Sequence, residues 1–340
     1  MSDLLSNPAY FKFLSSSHPE LSLKLCSQGA PYFVVSIASF QPLMPGVLRS
    51  IAYHLRIVAP SLLNPRALVF GVPFEPYEQT AILSMLPSIQ SIKKMAKEFG
   101  ADVVLLTNVN KNSSHISKLL NAGFLLIPSF PDMRLKVNAQ NFEDYLNLFS
   151  SKYRNSMRRN IKKFEREQHR LIYQKEINKS LNEDFYQAYR FMRRRALVPW
   201  IAYSKEYFAS LSDAMPDSFV VAAHSARGEF LGMAQGLKES ERFHVARVAT
   251  AQSMYRKDGI FFRLIYASIE HALNQGCKEI ILSPTSYAFK RKLGAQYYPL
   301  YNLILPISFS WKTLVSTLRP WTLRALVGHL NCHSTLERVF

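Results

Sequence analysis

The chain has 340 residues, 48% of them hydrophobic and 13% aromatic, which is ample apolar material for two cores and argues against a disordered chain. Its formal charge of +18 favours anionic partners such as phosphates, nucleic acid or an acidic membrane surface. Cys26, Cys277 and Cys332 form no CxxC pair, which argues against a zinc site or a disulfide framework and for a reducing cytoplasm.

The opening "MSDLLSNPAYFKFLSSSHPEL" lacks a basic start and a continuous apolar run, so no secretory signal is expected. No run of about 18 apolar residues occurs, which argues against a transmembrane helix. "LSLKLCSQGAPYFVVSIASF" reads as two strands joined across Gln28 and Gly29. Apolar spacing predicts a helix from Tyr77 to Phe99, stopped by Gly100. "ADVVLLTNV" reads as a buried strand, Ser113 to Asn121 as a short helix ending at Gly123, and "FLLIPSFPDMRLKV" as two strands around Pro131.

Most of the excess positive charge lies beyond residue 140, and residues 152–170 hold eight Lys/Arg against Glu165 and Glu167. Tyr153, Met157, Ile161 and Phe164 recur there at helical spacing, a narrow apolar stripe on a cationic helix that Ser150 or Ser151 can cap. Arg154, Arg158 and Arg159 read either as a solvated face or as planar forks for phosphate oxygens.

The second half repeats the order of the first. Asp258 and Gly259 open a helix that runs to Gln275 and stops at Gly276. "CKEIILS" is a strand, Ser286 to Leu293 a short helix closed by Gly294, and "AQYYPLYNLILPI" the returning strand. Laid against "EFGADVVLLTN" and "KLLNAGFLLIP", the layout is the same, with glycine helix stops in both copies. A duplication, and so a tandem of two similar α+β domains, follows. The last stretch, "SWKTLVSTLRPWTLRALVGHL", mixes Trp311 and Trp321 with Lys312, Arg319 and Arg324. It reads as a helical tail that packs on the second domain, kinked at Pro320, or lies weakly on an anionic membrane.

No HExxH, Walker loop or dinucleotide fingerprint occurs, and no Cys-His or Ser-His-Asp set stands out, so neither a metal nor a covalent nucleophile is expected. In "RFHVARVAT", alternation puts His244 with Ala246 and Val248, and Phe243, Val245 and Arg247 on the other face. His244 reads as structural, whereas a buried Arg247 needs an anion. Ser283 and Tyr287 follow the C-terminal end of a buried strand, where ligand-binding groups concentrate in α/β folds. Lys290, Arg291 and Lys292 are about 100° apart on a helix, so they cannot share one cleft, and Lys290 is expected inward. A cation placed there would stabilise the charge that builds on an attacked carbonyl oxygen.

Three stretches resemble the FemAB-like branch of the GNAT acyltransferase superfamily, over about residues 100–305. They are "LLNAGFLLIPSFPDMRLKV" with "NFEDYLNLFSSKYRNSMRRNIKKFER", then "MYRKDGIFFRLIYASIEHALNQGCKEIIL", and "TSYAFKRKLGAQYYP". In the last, Phe289-Lys290 matches an aromatic–lysine pair at the acceptor end of the family's site. The resemblance implies an α+β fold of tandem GNAT-like domains with mixed central sheets flanked by helices. Residues 1–149 would form a scaffold domain, 150–168 a junction helix, 169–308 the catalytic domain and 309–340 the helical tail.

It further implies transfer of an acyl or aminoacyl group to a primary amine, of a cell-envelope or peptidoglycan-type precursor, by direct attack. Lys290 would stabilise charge and Tyr287 or a substrate group would handle the proton, with Phe289, Arg247, Ser283, Arg154 and Arg158 contacting substrate. "RKDGIF" keeps Arg256 and Gly259 of a pyrophosphate-binding turn but has Phe261 where a small residue is expected. Acyl-CoA and aminoacyl-tRNA therefore both stay open as co-substrate, neither tightly bound, beside a nucleotide-linked precursor as anionic partner. A cytoplasmic location is expected, with the inner face of the membrane as an open second site. Two rival readings are an acyl-CoA-dependent N-acyltransferase acting on a small amine or amino acid, and a non-catalytic RNA- or membrane-binding module.

Overall fold

A computed structural model describes residues 8–17, 24–36, 66–71, 78–175, 177–195, 203–215, 217–254, 257–284 and 286–308. The first half contains α1 (Pro8–Ser17), β1 (Lys24–Leu25), β2 (Pro31–Ser36), β3 (Arg66–Phe70), α2 (Ile89–Glu98), β4 (Val103–Val109), α3 (His115–Asn121), β5 (Leu125–Pro128) and β6 (Asp132–Lys136). The helix expected from Tyr77 to Phe99 is broken. A 3-10 turn, Thr80–Met85, precedes α2, and Tyr77 lies outside the described residues. Pro87 is the reason: it holds Leu86 extended, and Ser88 then caps a new helix by accepting from the Ser91 N–H at 3.1 Å.

The second half contains α4 (Phe142–Asn147), α5 (Ser151–Arg166), β7 (Arg170–Gln174), α6 (Lys179–Arg194), α7 (Lys205–Ala214), β8 (Ser218–His224), β9 (Phe230–Glu239), β10 (Arg242–Thr250), α8 (Ile260–Asn274), β11 (Glu279–Ile281), α9 (Tyr287–Lys292), β12 (Gln296–Tyr298) and β13 (Tyr301–Pro306). Helix α5 follows the expected stripe in part. Met157 and Phe164 are buried, Ile161 packs at the edge of the core, and Tyr153 stays exposed. The 309–340 tail and Arg256 lie outside the described residues. Among the described residues no helix is long and apolar enough to cross a membrane.

The strands form two mixed sheets flanked by helices, in the orders β1-β2-β3-β4-β13-β5 and β12-β6-β11-β10-β9-β8-β7. This is the expected α+β architecture, and the repeat is visible in it. The unit α2-β4-α3-β5-β6 returns as α8-β11-α9-β12-β13, and left-handed glycines close equivalent helices: Gly100 and Gly276 at φ 59° and 68°, Gly123 and Gly294 at φ 97° and 82°.

The final strand of each unit crosses into the other sheet. β6 runs antiparallel between β11 and β12, and β13 antiparallel between β4 and β5. The segment expected as one returning strand, residues 295–307, thus breaks at Pro299 and divides between the sheets. A cut near residue 150 leaves one strand of each sheet on the far side.

The cores follow the layers. Leu68, Val104, Leu106 and Leu303 pack under α2 and α3 on the outer face of the first sheet. Phe219, Val221, Phe243 and Ile280 pack under α5 and α8 on the outer face of the second. Between them, Val69 and Val103 of the first sheet share one cluster with Val220, Met233 and Ile281 of the second, through α1, α6 and α7. Full burial of a side chain of this size contributes about 1.5–3 kcal/mol, so the shared cluster resists separation of the halves.

Candidate active site

Strands β10 and β11 pair in parallel only over Arg242–His244 and Glu279–Ile281. β10 then continues along β9 to Thr250, so the two strands part at their C-terminal ends. Ser283 stands at the parting point with φ 64°, and its hydroxyl donates to the Val245 carbonyl at 3.2 Å. A left-handed serine is uncommon and costs about 1–3 kcal/mol, so the surrounding contacts must hold it. Lys290 supplies two of them. Its Nζ donates to the carbonyls of Ser283 at 2.9 Å and Pro284 at 3.0 Å, and the residue is only 7% exposed. Arg291 and Lys292 are exposed, as their helical spacing requires.

Tyr287 lies one turn earlier on α9, buried, with its hydroxyl donating to the Pro131 carbonyl at 3.2 Å. It pins α9 to the start of β6. Phe289 packs against Phe262 and Phe261 at the start of α8, with ring centroids 5.1 and 5.9 Å apart.

Arg247 is not where strict alternation places it. The register passes from Val245 opposite Gly236 to Arg247 opposite Gln235, so Ala246 is an extra residue in a β-bulge. One extra residue reverses the parity, and Arg247 joins His244 on the face toward the shared core. Its guanidinium lies 4.0 Å from the Tyr203 ring centroid and donates to the Ala246 carbonyl. His244 is buried and meets Glu239 at 3.2 Å, a structural pairing at a strand end.

Gly259 begins α8 with φ 72°, and a Cβ there would stand 2.9 Å from the Asn160 carbonyl of α5. Close packing of two helices therefore accounts for this glycine without a bound phosphate. Asp258, beside it, faces Lys163 at 3.8 Å and His169 at 3.7 Å. A carboxylate at a helix N-terminus takes the favourable electrostatic place that a ligand anion would use. Arg158 pairs with Glu143 at 2.7 Å on the exposed side of α5, and Arg154 lies one turn before it on the same helix. The structure thus gathers Ser283, Tyr287, Phe289 and Lys290 around the end of β11, while Arg154 and Arg158 sit on the outer helix.

A second set of polar residues was missed by sequence reasoning. In "DMRLK", Asp132 and Arg134 alternate with Met133 and Leu135, whose side chains enter the outer core. The two charged residues turn to the opposite face and are buried there. Arg134 pairs with Glu78 at 2.7 Å, stacks 3.3 Å from the Tyr298 ring centroid, and approaches Asp132 at 3.7 Å and Glu279 at 3.8 Å. Burial alone would raise the Glu78 carboxyl, yet hydrogen bonds from Thr80 and Arg134 and the Arg134 charge hold it below the usual range. Burial pushes the Asp132 carboxyl up to about 7 against the opposing charges of Arg134 and Lys290.

A charged pair two apart on an apolar strand was the available signal. Beside Glu78 opens a cleft of about 400 Å³, lined also by Thr80, Asn110, Ser113 and His115. Among the described residues no group of three or more His, Cys, Asp or Glu is placed to hold a metal ion.

A sequence model of the FemAB-like family, described as peptidoglycan biosynthesis/recognition, matches residues 68–280. No curated protein matches the chain in sequence. The fold is similar to L-PGS from Bacillus licheniformis at 10% identity and a TM-score of 0.54, covering 90% of this chain and 94% of that one. It is also similar to FemX at 13% identity and a TM-score of 0.50, covering 76% and 87%. At such identities the likeness speaks for the fold alone.

Proposed function

From the premise that the chain belongs to the FemAB-like family, we propose that it is an acyltransferase that moves an acyl or aminoacyl group onto a primary amine of a cell-envelope precursor. The observation that carries this reading is the buried ammonium of Lys290, fixed by two carbonyls where β10 and β11 part. In direct attack the amine lone pair forms the new C–N bond and the carbonyl oxygen takes up negative charge. Collapse then expels the leaving oxygen or sulfur of the donor, and the proton lost by the amine leaves with it. A carbonyl does not neutralise an ammonium as a bonded carboxylate would, and in this reading the Lys290 charge stabilises a carbonyl oxygen placed beside it. Phe289, Phe261 and Phe262 form an aromatic cluster that packs α9 against the start of α8. Tyr287, buried and bonded to Pro131, serves in this reading as a brace for α9.

Aminoacyl-tRNA is the donor this reading favours over acyl-CoA. At the start of α8, where a CoA pyrophosphate would bind, stand the Asp258 carboxylate, the Asn160 carbonyl against Gly259, and Phe261. Each opposes close approach of a phosphate. Arg154 and Arg158, with the rest of α5, would meet the tRNA backbone.

The test is transfer from a pool of labelled aminoacyl-tRNA into cell-envelope precursors, by the full chain and by Lys290→Ala. A loss of about 100-fold or more is expected, at a temperature where circular dichroism shows both proteins folded. Full activity in Lys290→Ala would remove the reading, and calorimetric binding of acyl-CoA would overturn the choice of donor.

A further inference from the structure

The first residue of the exchanged strand β6 is a carboxylate that direct attack leaves unused. Asp132 has 0% exposure. One of its oxygens accepts from the Met133 N–H at 2.9 Å, and Oδ2 has no hydrogen-bond partner among the described residues. Arg134 Nε approaches Oδ2 at 3.7 Å.

The backbone around Asp132 is tied to β11, α9 and β12 in turn. The Leu282 N–H, just past β11, donates to the Met133 carbonyl at 2.8 Å. Tyr287 donates to the Pro131 carbonyl, and Tyr298 of β12 stands opposite Asp132 in the ladder. Tyr287 and Lys290 are three residues apart on α9 and so share a face. The helix face that grips Pro131 therefore brings Lys290 toward the next residue, and the charges of Lys290 and Asp132 act on each other.

We propose that Asp132 is the positioning residue for Lys290: delivered by the strand exchanged from the other half of the chain, it draws the ammonium into place at the parted ends of β10 and β11. This rests on the part given to Lys290 above. Two cations, Lys290 and Arg134, face Asp132, with Glu279 opposing them and Glu78 and Tyr298 engaging the far side of Arg134. An ionised Asp132 attracts Lys290, and a protonated one gives up that attraction while the Ser283 and Pro284 carbonyls remain. The hold on Lys290 is then a function of pH near neutrality, and the site is complete only when both halves of the chain are docked.

The experiment needs no substrate. Full-length protein labelled with 13Cγ-aspartate is titrated by NMR over roughly pH 4–9, with Asp132 assigned through Asp132→Glu and Asp132→Asn. The expected result is a carboxyl that titrates near neutrality and whose midpoint rises by about one pH unit or more in Lys290→Gln, because an attracting cation has gone. An ordinary carboxylate midpoint, or one unmoved in Lys290→Gln, overturns the proposal.

In a second arm, 13Cε-lysine labelling follows Lys290. Its resonance should shift with the Asp132 midpoint in the wild type and in Asp132→Glu, and lose that step in Asp132→Asn. A step unchanged in Asp132→Asn also overturns it. Should Asp132→Asn not fold, the wild-type and Lys290→Gln titrations decide alone. Coupling without any loss of transfer in Lys290→Ala would keep the pair and remove the catalytic reading. Lost transfer without coupling would do the reverse.

Discussion

Lys290 and Asp132 meet the same difficulty, a charge with little access to water, in different ways. Lys290 replaces water by two carbonyl dipoles, which solvate the ammonium without cancelling its charge. Asp132 has one backbone N–H and cations at longer range, so burial wins and its carboxyl rises from 3.8 to about 7. The consequence for stability has a definite sign. A group whose folded value is raised gives stability that is complete below its unfolded value and is lost as pH rises through the folded one. Between about pH 4 and pH 7 Asp132 should therefore remove up to about 4 kcal/mol from the folded state. Glu78, whose carboxyl is lowered, works in the opposite sense as pH falls. The clean measure is the difference in urea unfolding free energy between wild type and Asp132→Asn. It should move in favour of the variant as pH rises from 4 to 8, and a difference that is flat with pH would show that the carboxyl ionises freely.

Elements were legible where local chemistry decides them. Glycine stops marked α2, α3, α8 and α9 because only a left-handed residue closes those helices cheaply, and the stripe on α5 followed from helical spacing. Three features were not legible. Pro87 was read through, although it ends one segment and lets Ser88 start the next. The bulge at Ala246 has no composition of its own, yet it decides which face Arg247 takes. The partners of β6 and β13 are set by pairing over long sequence distances, which periodicity does not encode. The Lys290 side of the candidate site could thus be read from residues 283–290, while the Asp132 side could not. Gly259 gives a test at this scale. Its φ of 72° and the 2.9 Å approach of the Asn160 carbonyl both exclude a side chain, and the obstacle is backbone, which side-chain repacking cannot relieve. Gly259→Ala should lose about 1–3 kcal/mol in urea melts, with no rescue by Asn160→Ala. A neutral substitution would mean that α5 can shift away from α8.

The strand exchange makes the chain one cooperative object. β13 lies near the end of the described chain but inside the first sheet, between β4 and the edge strand β5, where Leu303 and Leu305 fill the core under α2 and α3. β6 likewise enters the second sheet from the first half and carries Asp132 to the end of β11. Neither half completes its sheet alone, so folding must bring together residues some two hundred positions apart, a slow topology. A pair of truncations tests this. A chain stopped after Ser308 keeps β13, and a chain stopped after Leu300 lacks it. Loss of β13 removes the ladder from Val103 to Val109 and leaves β4 and β5 with facing open edges. Hydrogen exchange followed by mass spectrometry should then show faster exchange in residues 103–109 and 125–128, at the opposite end of the sequence from the cut. The ladder between β8, β9 and β10, which β13 does not touch, should keep the greater protection. Protection of residues 103–109 that survives the shorter truncation would mean that the first sheet closes without the strand it receives.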